Sequence, residues 1–411
     1  MARVLVYTSP ARGHLYPLTP IMDELLARGH QVSVRTLSSE VALMRARGFA
    51  AAPISEAVEA IELQDWRSRN PRRSLAIAVR GFSERAEHDA ADLLAAIEHE
   101  QPDAVLVDVN SWGAQAAAER WGGQWASVCP YPIALRSPDV PPFGPGLAPA
   151  HGFPGRLRDR LIGGLVTASV AAAMLPPLNR VRVAAGVGAL RSVDELFRIP
   201  ALTLYLTAEP FEYPRSDWPD SVLMVGPCAW EPAAAEPDWL AAVTDPIVLV
   251  TTSSEFQDDG RLVRVALQAL ADEPVHVVAT LPAGDPRDFE SPANAHLQRY
   301  LPHSTILRRA SCAITHAGMG ATQKALSFGV PVCAVPFGRD QLEVARRVVV
   351  ADAGSRLPAS RLRPDRLLKA VRQARSKQAG ALRVAAGFAA AGGPAAAADA
   401  IERRLLDSVP S

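Results

Sequence analysis

Residues 300–341, YLPHSTILRRASCAITHAGMGATQKALSFGVPVCAVPFGRDQ, constrain this chain more than any other stretch. They read as strand, loop, helix, strand, loop. Residues 312–315 are a short apolar run, 316–320 (HAGMG) a glycine-containing turn, 321–328 a short helix stopped by Gly329, and 330–335 the next buried strand. Short apolar runs alternating with helices specify parallel βαβ packing, and ligands of such sheets sit outside the carboxyl ends of the strands. His316 and the helix start after Gly318 fall at that edge. Unsatisfied N–H groups at a helix start attract an anion, above all a diphosphate, and Gly318, Met319 and Gly320 put that backbone within reach.

The same alternation recurs along the chain. A buried strand at 3–8 leads through SPARGHLYPL to a helix at 19–28 and a second strand at 31–36. Helices are expected at 38–47 and 73–98, and strands at 104–107, ending at Asp108, and at 125–128. A proline- and glycine-rich excursion covers 130–154, a helical region 156–185, and strands 201–206 and 222–225. Residues 231–245 have linker character. The pattern then restarts with a strand at 247–251, the polar loop TTSSEFQDDG, a strand at 275–280 and helices at 364–376 and 395–406. At 411 residues the chain exceeds what one core serves. The division expected is 1–230, a linker 231–245, 246–394, and a terminal helix within 395–411.

The stretch 300–341 resembles the signature of the inverting glycosyltransferases that include plant secondary-metabolite enzymes and the bacterial macrolide and antibiotic-decorating enzymes. The resemblance implies an α/β protein of GT-B fold: two Rossmann-like domains facing across a cleft, with the last helix packing back on the first. It implies that His316 contacts the donor diphosphate, that Asp340 and Gln341 hold the donor sugar, and that Tyr300 and His303 lie beside the nucleoside base. His14, in RGHLYP, falls at the family's general base, and Asp108 at the position of its partner aspartate. A histidine suits that task because its pKa lies near neutrality and a carboxylate behind it fixes its tautomer. Ser253 and Ser254 stand where the family has a glycine-containing turn, and would either bind diphosphate oxygens or form a polar surface turn. Lys324 replaces the family's ribose-binding glutamate. A lysine donates but cannot accept, so a deoxyribose donor, a contact to phosphate, or a solvent-facing lysine each fit.

Trp66, Phe82, Trp112, Tyr131, Phe143 and Phe153 all lie in the first half, with Trp112 and Tyr131 the candidates for an apolar acceptor pocket. Equal numbers of basic and acidic side chains, 43 each, favour neither nucleic acid nor an anionic membrane as partner. Cys129, Cys228, Cys312 and Cys333 lack metal-ligand spacing and read as small core residues. Asp258-Asp259 superficially resembles a metal site but reads as a solvated acidic pair, and the resemblance implies a histidine and a helix end in place of a divalent ion, so no metal and no cofactor are expected beyond a nucleotide-sugar co-substrate. The apolar stretch 161–175 is shorter than a bilayer span, and a cytoplasmic, soluble monomer or homodimer is expected. The resemblance thus implies a metal-independent inverting hexosyltransferase acting on a hydrophobic natural product. Its rivals are a nucleotide-sugar epimerase and a non-catalytic activator that keeps the fold.

Overall fold

The computed structural model describes residues 1–68, 70–150, 152–255, 257 and 259–407. Among the described residues thirteen strands form two parallel sheets. The first contains β1 (Arg3–Tyr7), β2 (Gln31–Thr36), β3 (Ala50–Pro53), β4 (Ala104–Asp108), β5 (Gln124–Cys129), β6 (Leu202–Tyr205) and β7 (Val222–Met224), in the order β3-β2-β1-β4-β5-β6-β7. The second contains β8 (Ile247–Thr251), β9 (His276–Thr280), β10 (Ala295–Gln298), β11 (Ala310–Thr315), β12 (Val332–Ala334) and β13 (Gly354–Arg356), in the order β10-β9-β8-β11-β12-β13. The central strands AVLVD and IVLVT are buried at every position, because helices cover both faces of a parallel sheet.

Strand order reverses between β1 and β4 in one sheet and between β8 and β11 in the other. Loops diverge at such points and leave a crevice at the carboxyl edge. Tyr7 pairs with Val107 and Thr251 with Thr315, so the two loops at each crevice leave their strands at the same level. His14 and Asp108 follow β1 and β4; Ser253 and His316 follow β8 and β11.

The edge strands β3, β10 and β13 were not expected from sequence. Their segments AAAP, AHLQ and GSR carry no sustained apolar run, and pairing with an existing neighbour makes them strands. The helices Gly260–Leu270, Gln341–Val350 and Gln378–Ala390 also went unassigned. The expected helix at 156–185 is a 33-residue helix, Gly152–Ala184, which starts inside the proline-rich excursion and passes through Pro176 and Pro177. This alters the reading of 161–175: by length and composition this helix could cross a membrane, with a mean hydropathy of 1.8 and 6% of that window buried. The segment Gln378–Leu406 passes the same test at 1.3. Phe153, Leu161 and Leu165 are exposed on the first half of Gly152–Ala184, whereas Leu178 and Val181 pack in the core beside Val79 and Trp112.

The chain crosses back at its end. Ala397, Ala398, Ala400, Ile401 and Leu405 complete the core of the first domain beside Ile21, Met22 and Leu25. Arg28 meets Asp399 and Glu402, each at 2.6 Å. In the preceding helix, a Cβ on Gly387 would stand 2.2 Å from the Glu209 carbonyl oxygen, so only glycine allows this helix to press on the first domain.

Between the domains lies a buried charge cluster. Arg347 grips Glu212 with two parallel hydrogen bonds, Nε to Oε2 at 3.0 Å and Nη2 to Oε1 at 2.9 Å, and meets Glu343 through Nη1 at 3.1 Å. Tyr205 donates its hydroxyl to Glu212, and the Arg347 guanidinium lies 4.4 Å from the ring centre of Tyr213. Burial opposes ionisation of Glu212, but Arg347 outweighs it and holds the carboxyl below its usual range. Glu343 Oε1 accepts from the backbone of Gly144 at 2.7 Å and Gly146 at 2.8 Å, which ties the proline-rich excursion to the second domain.

Candidate active site

His14 sits on a single helical turn, Arg12–Leu15, just beyond β1. Its Nδ1 lies 2.6 Å from Oδ2 of the fully buried Asp108, at the end of the neighbouring β4. Oδ1 of Asp108 accepts the backbone N–H of Asn110 at 2.8 Å. Both carboxylate oxygens are therefore engaged and the imidazole is fixed in direction. Asp108 caps no helix with its side chain: the helix Trp112–Trp121 begins after Ser111, which itself makes no side-chain cap.

Burial works against a charged His14, yet the charge and hydrogen bond of Asp108, with Glu255 and Asp340 across the crevice, raise its pKa above the ordinary histidine value. In the general-base role expected from the sequence, His14 must be neutral to act, so a raised pKa would move the acidic limb of activity to higher pH. The limb of kcat/KM is expected above about 6.5, and Asp108→Asn, which removes the strongest attraction, should bring it down. A pH profile of both proteins checks this; a limb unmoved by the substitution would contradict the assignment.

On the opposite rim, His316 is buried and its Nδ1 has no protein partner. Burial, partly offset by the Thr251 backbone and reinforced by Arg339, lowers its pKa to about 4, so at neutral pH it is an uncharged imidazole. A Cβ on Gly318 would fall 2.3 Å from its Nε2, so glycine is what lets the ring lie against the start of the helix Met319–Ser327. Ala317 adopts a left-handed φ of 66°, strain concentrated in this turn. Met319 is buried in the domain core, while Gly320 has open space beside its Cα.

Gln341 is buried and internally bonded. Its Oε1 accepts from the backbone of Phe337 at 2.7 Å and Gly338 at 3.1 Å, and its Nε2 donates to Gln257 Oε1 at 2.8 Å. Gln257 in turn donates to Ser253 Oγ at 2.9 Å and so links the Ser253 loop to the Asp340-Gln341 turn. Burial raises the pKa of Asp340, against the pull of Arg339 and His14. Arg339, at a left-handed φ of 53°, spans the crevice: it holds Asp65 with two bonds of 2.8 and 2.7 Å and Glu255 with one of 2.9 Å.

Several expected features are placed differently. Lys324 does not face solvent: its Nζ is 2.6 Å from Glu231 of the linker, and both side chains are mostly buried. Glu231 also accepts from the backbone of His303 at 2.9 Å and Ser304 at 2.8 Å, and Lys324 and Ser304 hold it ionised against burial. His303 meets Thr280 Oγ1 at 2.9 Å, and Tyr300 donates to the Pro232 carbonyl. Ser253 is buried within its loop and Ser254 is exposed. Asp259 is not solvated: it is buried and accepts the Ser253 backbone N–H at 2.6 Å, while Asp258 lies outside the described residues. Trp112 is 3% exposed and packs on Phe82 at 5.4 Å within the core; Tyr131 approaches His14 edge-on at 5.9 Å. Cys129, Cys228, Cys312 and Cys333 are buried free thiols. Asn110, Gln257, Arg339 and Glu231 escaped the sequence reading. Only Arg339, adjacent to the Asp-Gln pair, offered a signal.

Two Rossmann-like domains, with a histidine–aspartate pair beyond the strands of one and a glycine-turn histidine beyond the strands of the other, make the two-domain architecture called GT-B. Residues 264–403 match the family described as erythromycin biosynthesis protein CIII-like, C-terminal domain. The 4'-demethylrebeccamycin synthase of Lentzea aerocolonigenes is 32% identical over 387 residues, covering 90% of this chain and 91% of that protein. Among solved structures, the glycosyltransferase of kitacinnamycin superposes with a TM-score of 0.76 at 24% identity, covering 98% of this chain and 99% of that one. The glycosyltransferase VinC in complex with dTDP gives a TM-score of 0.71 at 22% identity, covering 99% and 100%. The chain belongs to the GT-B natural-product glycosyltransferases.

Proposed function

We propose that this glycosyltransferase moves a sugar from a dTDP- or UDP-linked donor to a hydroxyl of a hydrophobic small molecule, with inversion at the anomeric carbon and without a metal ion. The observation that carries the reading is the 2.6 Å His14–Asp108 pair, whose imidazole also feels the Asp340 carboxylate of the second domain. His14 Nε2 takes the acceptor proton as the oxygen attacks from the face opposite the nucleotide, and Asp108 stabilises the imidazolium. The departing diphosphate gathers negative charge, which the helix start after Gly318 and the His316 imidazole meet without a divalent ion. The unpaired buried Nδ1 of His316 supports this, because an orphaned polar atom in a site is commonly satisfied by the ligand. Asp340 holds the sugar hydroxyls, with Gln341 and Gln257 shaping the turn beneath. Closure over the donor excludes water that would hydrolyse it. That VinC was solved with dTDP supports a thymidine donor, as does the placement of Lys324 against Glu231 rather than toward a second ribose hydroxyl.

Melting the protein with millimolar dTDP, UDP and GDP tests the donor site. A ligand at about a hundred times its Kd adds roughly 2.7 kcal/mol, which at this chain length raises Tm by about 3–5 °C. A rise with dTDP or UDP and none with GDP is expected. Flat melting curves with all three would remove the donor-site reading.

A further inference from the structure

Beside the His14–Asp108 pair lies a residue that the reaction so far leaves unused. Asn110 follows β4 by two positions, grips Asp108 by its backbone N–H and turns its side chain toward His14. The hydrogen-bond directions are determined in sequence. Tyr131 donates its hydroxyl to Asn110 Oδ1 at 2.8 Å. With the amide oxygen so occupied, the amide NH2 faces His14 Nε2 at 3.4 Å. An NH2 group only donates, so Nε2 is the accepting nitrogen, and Nδ1 carries the proton that binds Asp108 at 2.6 Å. Burial pushes the Tyr131 phenol well up, so its hydroxyl keeps its proton and the amide keeps its orientation.

The 3.4 Å contact is the weakest in this chain of bonds, and it occupies the atom that must receive the acceptor's proton. We propose that the Asn110 amide, oriented by Tyr131, is the second group on the acceptor's heteroatom, and that the site is thereby built for a hydroxyl rather than a pyrrole-type N–H. A hydroxyl that displaces Asn110 from Nε2 sits within hydrogen-bond reach of both nitrogens. It donates its proton to Nε2 and accepts from Nδ2 on a lone pair. As the bond between the acceptor oxygen and the anomeric carbon forms, the proton passes to Nε2. The bond from that carbon to the diphosphate oxygen breaks, and its electron pair leaves with the diphosphate. Asn110 steadies the partial negative charge on the attacking oxygen. A pyrrole-type nitrogen has its lone pair in the ring; it donates to His14 but accepts nothing, which leaves the Asn110 N–H unpaired. The inference rests on His14 being the base.

Two measurements on the full chain test it. The first is an NMR titration with ¹⁵N-labelled histidine, which needs no turnover. The charges that already face His14 are Asp108, Glu255 and Asp340, with the neutral Tyr131 at its edge. Asn110→Asp adds a carboxylate at Nε2 and should raise the titration midpoint of His14 by about one unit or more, whereas Asn110→Ser should leave it near wild type. A midpoint unmoved by Asn110→Asp would overturn the geometry. The second compares transfer to 7-hydroxycoumarin and to carbazole. Wild type should favour the phenol. Asn110→Ala should lower kcat for the phenol about tenfold or more at unchanged donor KM, with Asn110→Ser recovering part, and should leave carbazole transfer unreduced. Equal losses for both acceptors, or none, would overturn the proposal. Where neither probe is turned over, the titration decides alone. A His14→Ala variant that stays fully active would remove the general base while leaving the titration result standing, so the two failures are distinguishable.

Discussion

Replacing His14 by alanine is expected to lower kcat by about 10²–10⁴, the range a positioned general base supplies, while dTDP or UDP binding changes little. The reason is geometric. His14 lies on the first-domain rim, beyond β1, and the turn expected to hold the diphosphate lies on the other, beyond β11. Loss of the imidazole therefore removes proton acceptance without touching the nucleotide side. It also strands Asp108, fully buried, with its Oδ2 unpaired. Part of any loss in stability will come from that desolvated carboxylate rather than from missing packing. Steady-state kinetics and nucleotide titration on the same preparation separate the two effects. A variant with near-wild-type kcat would eliminate His14 as the base, and one that loses both turnover and nucleotide binding would point to collapse of the crevice. Asp108→Ala should follow His14→Ala in direction, because an imidazole without its carboxylate is free to take the wrong tautomer.

The second large effect is on stability and arises far from the chemistry. Arg347→Ala leaves Glu212, with no exposed side-chain surface, and Glu343, 2% exposed, without their cation. Breaking a buried pair by removing one partner costs about 3–5 kcal/mol, and at this length each kcal/mol is worth about 1–2 °C in Tm. A fall of roughly 3–10 °C is expected on these figures. Glu212→Gln added to Arg347→Met should recover part of it, since one of the two uncompensated carboxylates is then gone and Glu343 keeps only its backbone donors, Gly144 and Gly146. A thermal melt of the single and double variants checks this. A single variant that melts within a degree of wild type would mean the cluster contributes nothing net. The position of Arg347 gives the result a functional side. It lies on the helix Gln341–Val350, whose start carries Asp340 and Gln341 and whose Glu343 holds Gly144 and Gly146 of the excursion beside the first domain. Loosening this helix should therefore disturb together the Asp340-Gln341 turn and the excursion that Glu343 holds.

The sequence by itself determined a good deal. Alternation of apolar runs with helices specified two parallel sheets, because a strand buried on both faces is apolar along most of its length, and β1, β4, β8 and β11 are so apart from polar residues near their ends. Since side chains beyond the carboxyl ends of such strands share one edge, His14, Asp108 and His316 could be assigned to that edge by position along the chain alone. The short edge strands could not be seen, since β13 (GSR) and β3 (AAAP) become strands through the neighbour that pairs with them. Nor could the partners of Lys324, Arg339 and Arg347. Glu231 lies 93 residues before Lys324, and Glu212 135 residues before Arg347. No periodicity or local spacing encodes a contact made when two separately built domains close on one another. The same holds for Asn110: its residue type is common in loops, and only the placement of Tyr131 and His14 around it gives its amide a direction. Local pattern specified the elements and the strand ends, because burial and backbone hydrogen bonding act over a few residues. Which charges meet, and which nitrogen of His14 is left to accept a proton, was decided by tertiary packing, which acts over distances the sequence does not display.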